Sequence, residues 1–201
     1  MVKRIFDIFF SMFGLLISFP LWILFGLLIL IEDGWPVFYL QERIGKGGRI
    51  FKAVKFRSMI KDAETGIGPV QAVRNDPRVT KVGRILRATA MDELPQLVNI
   101  LKGDMSFVGP RALRPAELEV RANPDTLRIE EIPGYKERHS VVPGLTGLAQ
   151  VYLPADAPRR EKFCYDLFYI KKQSLWIDLK LLFLSFWITF RGKWESREKK
   201  I

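Results

Sequence analysis

The stretch "ATAMDELPQLVNI", residues 88–100, places two adjacent carboxylates, Asp92 and Glu93, at the edge of an apolar run. Leu94, Leu97, Val98 and Leu101 follow the i, i+3, i+4, i+7 pattern of an amphipathic helix. In that helix Asp92 is an N-cap candidate and Pro95 is tolerated in the first turn. Glu93 complements the helix dipole, and Gly103 supplies a stop. The same place suits chemistry, because exposed amides at a helix start attract phosphate and keep a carboxylate ionised. An ionised aspartate can attack phosphorus as a nucleophile. It can also ligate Mg2+, which takes one or two carboxylates together with substrate phosphates, so Asp92 is the candidate metal ligand. Phosphate beside two carboxylates then needs cations. Arg87 lies five residues upstream of Asp92, and "GPRALRP" puts Arg111 and Arg114 in a Gly-Pro turn downstream. Arginine in a rigid turn suits bidentate phosphate recognition. On local spacing alone, helix start and catalysis both stand open.

Composition narrows the chemistry. In 201 residues, 32 Lys and Arg stand against 22 Asp and Glu, for a formal charge of +10. That balance favours anionic partners: nucleic acid, acidic lipid headgroups or phosphorylated small molecules. No nucleic-acid motif or aromatic-basic platform accompanies it, so no nucleic-acid partner is expected. Cys164 is the single cysteine, which excludes an internal disulfide and a cysteine-built zinc site. His139 is the single histidine and reads as a surface or hydrogen-bonded loop residue. Catalysis therefore rests on carboxylates, Lys, Arg, hydroxyls or a hard metal ion.

The elements that would position these groups include membrane segments. Ile8–Ile31 is a run of 24 residues without a charge. As a straight helix it measures about 36 Å, against a hydrocarbon core about 30 Å thick. It is too long for a cleaved signal peptide, and no small-residue cleavage site follows. Pro20 near its middle removes a backbone donor and disfavours helix at Phe19, and Ser18 can bond backbone groups freed by a break. Lys3 and Arg4 precede the run, while Arg43, Lys46, Arg49, Lys52, Lys55, Arg57 and Lys61 follow it, with no acid between Arg43 and Lys61. The positive-inside tendency draws both flanks to the cytoplasm. These features predict a re-entrant helix-break-helix over residues 1–35, with a Pro-kinked spanning helix as the alternative. At the other end, residues 175–201 hold a ten-residue uncharged run, Leu181–Phe190, then Arg191, Lys193 and Trp194. Rich in Phe and Trp and too short to span, it predicts an interfacial amphipathic helix with a basic tail; a buried core helix is the alternative.

Residues 36–180 read as one globular domain without repeats. "VFYLQERIGKGGRIFKAVKF" predicts two short strands around Gly45-Lys46-Gly47-Gly48. "DPRVTKVGRILRA" predicts a helix with Val82, Ile85 and Leu86 on one face and Lys81, Arg84 and Arg87 away from it. The expected class is α+β: a mainly helical small domain with a short β-hairpin, flanked by the membrane elements. Basics, carboxylates and a membrane anchor together favour a phosphate-handling enzyme at a membrane surface. A non-enzymatic basic adaptor bound to acidic lipids is the alternative.

Taken in order, the sequence blocks resemble the monotopic phosphoglycosyl transferases, bacterial sugar transferases that start glycan assembly on a polyprenol-phosphate carrier. They are "KRIFD" near the start, "QERIG" at 41–45, "KFRSM" at 55–59, "MDELPQLVNILKGDMSFVGPR" at 91–111, "PGLTGLAQV" at 143–151 and "YDLFYIKKQSLWIDLK" ending at Lys180. The resemblance implies a re-entrant N-terminal helix on the cytoplasmic face of the bacterial inner membrane. It also implies transfer of a phospho-sugar from a UDP-sugar to polyprenol phosphate (undecaprenyl phosphate), with Mg2+ assisting. By that likeness Asp92 is the nucleophile at the β-phosphate, UMP leaves, and the phosphosugar-Asp92 intermediate passes its group to the polyprenol phosphate. Glu93 matches the second residue of the dyad, Arg87 and Arg111 match basic positions near the donor phosphates, and Lys55 and Arg57 are further phosphate contacts. Membrane lipid and downstream membrane glycosyltransferases complete the implied partners. Three positions depart from the family pattern: "SFP" at the break, Ala112 after Pro110-Arg111, and Val142 before "PGLTG". The chain is expected to be the minimal form, without the extra N-terminal membrane domain of larger relatives.

Overall fold

The computed structural model describes residues 2–63, 76–115 and 128–192, with Trp194, Ser196 and Lys200; Lys193 and most of the basic tail lie outside these. The chain is mostly helical, with one short antiparallel strand pair, as expected for the α+β class. It opens with a single helix, α1 (Val2–Asp33), which continues through Pro20. The expected interruption at Pro20 is thus absent from the helical assignment. Proline removes only the bond to the carbonyl four residues back, and helical geometry resumes on both sides. Ser18 also differs from expectation, because its hydroxyl accepts from the Trp22 indole at 3.1 Å.

One stripe of α1 packs along the body for its full length. Asp7, Ser11, Ser18 and Ile29 are buried, while Leu16, Ile17 and Phe19 beside Pro20 are 76%, 61% and 60% exposed. Asp7 Oδ1 accepts from Ser106 Oγ (3.0 Å) and from the Phe107 amide (3.1 Å). Lys3 pairs with Asp178, whose other oxygen accepts from the Tyr169 hydroxyl at 2.6 Å. At the far end Glu32 accepts from the amides of Lys81 and Val82 at 2.7 and 2.8 Å, capping the next helix with a carboxylate.

The hairpin forms as expected. Strands β1 (Phe38–Ile44) and β2 (Ile50–Phe56) pair antiparallel, with Tyr39 opposite Lys55 and Arg43 opposite Phe51. That register puts Gln41, Arg43, Ala53 and Lys55 on one face. The following helix, α2 (Lys81–Ala88), buries Leu86 with Val82 beside it, but Ile85 is 62% exposed. The expected three-residue face therefore narrows to the i, i+4 pair, which lies closest to the α1 and β2 contacts.

A 3₁₀ turn, Met91–Gln96, leads into α3 (Leu97–Lys102), which Gly103 ends at φ 96°. The buried positions here are Glu93, Pro95, Gln96, Leu97, Asn99 and Ile100, spread around the segment and not confined to the apolar stripe that spacing predicts. The cause is two-sided packing: β2 covers one side of this segment and α1 the other, so Leu94, Val98 and Leu101 are only half-buried. Asn99 joins the two elements. Its amide nitrogen donates to the Lys52 carbonyl at 2.8 Å, and its oxygen accepts from the Val54 amide at 3.0 Å. A side-chain amide thus occupies the open edge of β2, where a third strand would otherwise pair.

A second strand pair has no counterpart in the sequence reading. Strands β3 (Ser106–Val108) and β4 (Gly144–Thr146) run parallel, and Arg111 extends the pairing beside Gly144. Backbone meets backbone at three glycines. A Cβ on Gly144 would sit 2.0 Å from the Gly109 nitrogen, and one on Gly147 2.2 Å from the Gly109 carbonyl oxygen. The remaining elements are α4 (Tyr135–Arg138), α5 (Leu148–Tyr152), α6 (Arg159–Lys172) and α7 (Leu175–Phe190). Leu181 and Ile188 of α7 are buried, while Trp176, Phe183, Phe186 and Phe190 are at least 71% exposed. One side of α7 is thus buried in the body, as the core-helix alternative has it, and the opposite side is exposed and aromatic.

Gly144→Ala should force the two backbones apart and displace the segment carrying Arg111. The expected outcome is a fall in Tm, read by thermal melts. A variant with wild-type Tm would show that the crossing tolerates a methyl group.

Candidate active site

Ala90, in a left-handed conformation at φ 55°, begins the 3₁₀ turn that carries the two carboxylates. It stands at the N-cap position expected for Asp92, and no side chain caps the turn. The Glu93 amide bonds the Ala90 carbonyl at 3.1 Å, so the turn starts before the dyad and Asp92 is released from capping. Neighbours on a 3₁₀ turn diverge by roughly 120°. Asp92 is accordingly half-buried, whereas Glu93 is 6% exposed and points into the body.

Glu93 Oε1 accepts from Lys55 Nζ and from an Arg111 guanidinium nitrogen, both at 2.7 Å. Burial opposes its charged form, but Arg111 and Lys55 outweigh burial and hold the carboxyl well below the usual carboxylate range. Burial pushes the Lys55 ammonium down, an effect that the attraction of Glu93 and Asp92 partly offsets and that Arg43 and Arg111 reinforce. Asp92 is therefore close enough to act on the same ammonium. Arg43, Gln96, Met105, Leu145 and Gly144 complete the wall of this small cleft.

Of the residues singled out in the sequence, the structure thus brings together Lys55, Asp92, Glu93 and Arg111. Arg57, expected at phosphate, is instead 7% exposed and donates to the carbonyls of Asp33 (2.8 Å) and Gly34 (2.7 Å), anchoring the end of α1. Strand alternation alone would put both on one face; they part because β2 ends at Phe56 and Arg57 lies just beyond it, where its amide bonds the Val37 carbonyl next to the end of α1. Neither Arg87, half-buried in the last turn of α2, nor Asp92 is among the residues lining the Glu93 cleft; Asp92 is tied to it as the neighbour of Glu93 and by its attraction for the Lys55 ammonium. Arg43 is the cation that sequence reasoning missed. It was visible as the residue two beyond Gln41 on the Lys55 face of the hairpin, and it reaches the Ala112 carbonyl at 2.8 Å next to Arg111.

Among the described residues no group of three or more His, Cys, Asp or Glu could hold a metal by itself. With Glu93 engaged by Lys55 and Arg111, Asp92 is the one accessible carboxylate of the pair, which fits a divalent ion only when substrate phosphates provide further oxygens.

Residues 1–192 match the family described as bacterial sugar transferase. The chain is 42% identical over 187 residues to the exopolysaccharide production protein PSS of Rhizobium leguminosarum bv. phaseoli, covering 90% of this chain and 92% of that protein. It is 43% identical over 185 residues to the UDP-N-acetylgalactosamine-undecaprenyl-phosphate N-acetylgalactosaminephosphotransferase of Aeromonas hydrophila, covering 90% of this chain and 42% of the relative. It is 41% identical over 185 residues to the UDP-glucose:undecaprenyl-phosphate glucose-1-phosphate transferase of Caulobacter vibrioides, with 90% and 66% covered. The chain thus spans nearly all of the first protein and less than two thirds of the other two. A match running from α1 through α7, with relatives of this similarity, establishes that the chain belongs to the bacterial sugar transferase family.

Proposed function

We propose that the chain transfers a phospho-sugar from a UDP-sugar to undecaprenyl phosphate in two displacement steps at Asp92. The observation that carries this reading is the buried, ionised Glu93 clamped between Lys55 and Arg111 with Asp92 beside it on one turn. In the first step an Asp92 carboxylate oxygen bonds to the β-phosphorus as the bond to the bridging oxygen breaks, and UMP departs with that oxygen. In the second, a phosphate oxygen of the acceptor attacks the same phosphorus and frees the carboxylate, giving a polyprenyl-diphospho-sugar. Lys55, Arg111 and Arg43 offset the repulsion between anionic donor and carboxylates. Mg2+ bound by Asp92 and the donor phosphates would supply further charge neutralisation. Glu93, ionised throughout the neutral range, positions these cations and moves no proton. The names of the relatives, which include UDP-glucose and N-acetylgalactosamine transferases acting on undecaprenyl phosphate, support the donor and acceptor classes.

The membrane placement belongs to the same proposal. Both ends of α1 engage one folded body, Lys3 at Asp178 and Glu32 at α2, and the packed stripe runs between them. A helix held in this way favours both ends on the cytoplasmic side, with the exposed apolar face around Pro20 sunk into lipid. The exposed aromatic face of α7 lies in the interface beside it. Residues 1–35 form the membrane element, 36–180 the catalytic domain and 175–201 the interfacial end.

Asp92→Asn should abolish UMP release from UDP-sugar in the presence of polyprenol phosphate, and undiminished release would remove Asp92 as nucleophile. UDP-sugar alone should leave a phosphosugar mass on Asp92 of the wild type; an unmodified protein after UMP release would favour direct transfer. Chelation by EDTA should stop turnover and Mg2+ restore it.

Glu93→Gln should lower kcat/KM by roughly a hundredfold. Because its pKa is depressed in the folded state, Glu93 contributes stability that is complete above its ordinary value of 4.5 and is lost as pH falls below that. The Tm difference between wild type and Glu93→Gln should hold constant near neutrality and shrink below about pH 4. Cysteines placed before Ile8 and after Ile31 should both react from the cytoplasmic side; labelling from opposite faces would overturn the re-entrant placement.

A further inference from the structure

The turn that aims Arg111 at Glu93 has its four successive carbonyls, Pro110 to Leu113, all occupied. The Gly144 amide donates to the Pro110 carbonyl at 2.9 Å, and the Ile44 amide to that of Leu113 at 2.9 Å. Between them, Arg138 Nη2 donates to the Arg111 carbonyl at 2.6 Å and Arg43 Nη1 to that of Ala112 at 2.8 Å. Two of these pins are charge-assisted bonds, the stronger kind. Arg43 belongs to the cleft wall, whereas Arg138 is absent from it and is buried.

Arg138 is itself oriented by acceptors. Its Nε donates to Asp166 Oδ2 at 2.8 Å, its Nη1 lies 3.3 Å from His139 Nε2, and its guanidinium sits 4.8 Å from the centre of the Phe163 ring. A guanidinium only donates, so His139 Nε2 must carry a lone pair. His139 Nδ1 stands 2.8 Å from the Tyr135 carbonyl oxygen, which only accepts, so Nδ1 must carry the proton. The two bonds together specify one form of this buried ring: neutral, with its proton on Nδ1. Burial pushes the imidazole below its ordinary value of 6.5, and Arg138 acts in the same direction. The Tyr135 carbonyl and Glu130, on the 3₁₀ turn Ile129–Glu131, oppose them. Of the other neighbours, Asp166 on α6 faces the guanidinium, and the hairpin turn meets His139 through the Gly47 amide, which donates to its carbonyl at 2.7 Å.

We propose that Arg138 is a positioning residue for the transfer reaction and that His139, neutral and protonated on Nδ1, holds it in place. The inference rests on the transferase reading above and adds two residues outside the Glu93 cleft. A second proton on the ring would turn Nε2 from acceptor to donor and set a cation against the guanidinium. Arg138 would then lose its lateral support and the Arg111 carbonyl its pin. The Arg111 side chain would no longer be held at the distance where it meets Glu93. The single histidine of the chain thus acts on the reaction through two arginines.

The test uses the full chain in detergent micelles and two changes that each keep half of the ring's bonding. His139→Gln brings an amide oxygen to the place of Nε2 and keeps the acceptor for Arg138. His139→Asn reaches only the place of Nδ1 and keeps the donor for Tyr135. His139→Asn should lower kcat/KM about tenfold near pH 7, while His139→Gln should keep most of it and lose less activity than the wild type on going to about pH 5. Arg138→Lys keeps the charge without the fork and should show the same fall, with no further fall when combined with His139→Asn. Equal kinetics for the Gln and Asn variants, or additive losses in the double variant, overturn the proposal. Nitrogen NMR of the wild type decides the matter even where a variant fails to fold, since the chain has one histidine and its ring signals need no assignment. It should show a neutral ring protonated on Nδ1; an Nε2–H tautomer or a charged ring at neutral pH overturns the proposal. The spectrum needs no substrate, so failure of the UDP-sugar reading would appear as a wild type without turnover and would leave the ring signals unchanged.

Discussion

A carboxylate buried against two cations is the interaction on which the centre of this molecule depends. Glu93 is almost fully withdrawn from water, and an isolated charge there would cost several kcal/mol. Lys55 and Arg111, each at 2.7 Å, make that burial tolerable. The dependence runs both ways for Lys55, whose side chain is 13% exposed, whereas the Arg111 side chain, 36% exposed, keeps part of its hydration. Three distant parts of the chain must therefore arrive together before any of them is at rest.

Each part has its own device for arriving. The Lys55 strand is locked to the dyad segment by the two-bond clasp of Asn99, which substitutes for a neighbouring strand. Arg111 is delivered by a crossing so tight that only glycine fits at Gly109, Gly144 and Gly147. Arg138 steadies it from behind, donating to the Arg111 carbonyl at 2.6 Å while paired with Asp166. The dyad itself rides on a 3₁₀ turn, whose three-residue period sends Glu93 inward and leaves Asp92 nearer the surface. One carboxylate is committed to structure and electrostatics, and its neighbour stays accessible to a substrate.

The apolar N-terminal helix is built into this arrangement. Asp7 bonds the start of β3, which leads to Arg111, and Arg4 donates to the Ile100 and Leu101 carbonyls at the end of α3. At its other end Arg57 secures it to the strand that carries Lys55. The helix is thus bonded to the segments that lead to Glu93, Arg111 and Lys55. In the proposed reaction this coupling keeps a lipid-borne acceptor and a water-borne donor at one phosphorus atom.

Much of this was legible in the residues. The uncharged run of α1, the hairpin around its glycines and the Gly103 stop follow from period, turn chemistry and charge, which are local properties. The dyad was legible as a pair, and Arg111 as a rigidly held cation. What could not be read locally was which positions of the dyad segment are buried, because packing from both β2 and α1 spread burial to Glu93 and Gln96. Nor could spacing separate Lys55 from Arg57, two residues apart across the end of β2, one facing the carboxylate and the other clamping a helix end. The sequence by itself determined the elements and the chemical groups on offer. Only the tertiary structure decided which of them meet, since a buried charge selects its partners by distance and desolvation across the fold, and neither quantity is set by neighbours along the chain.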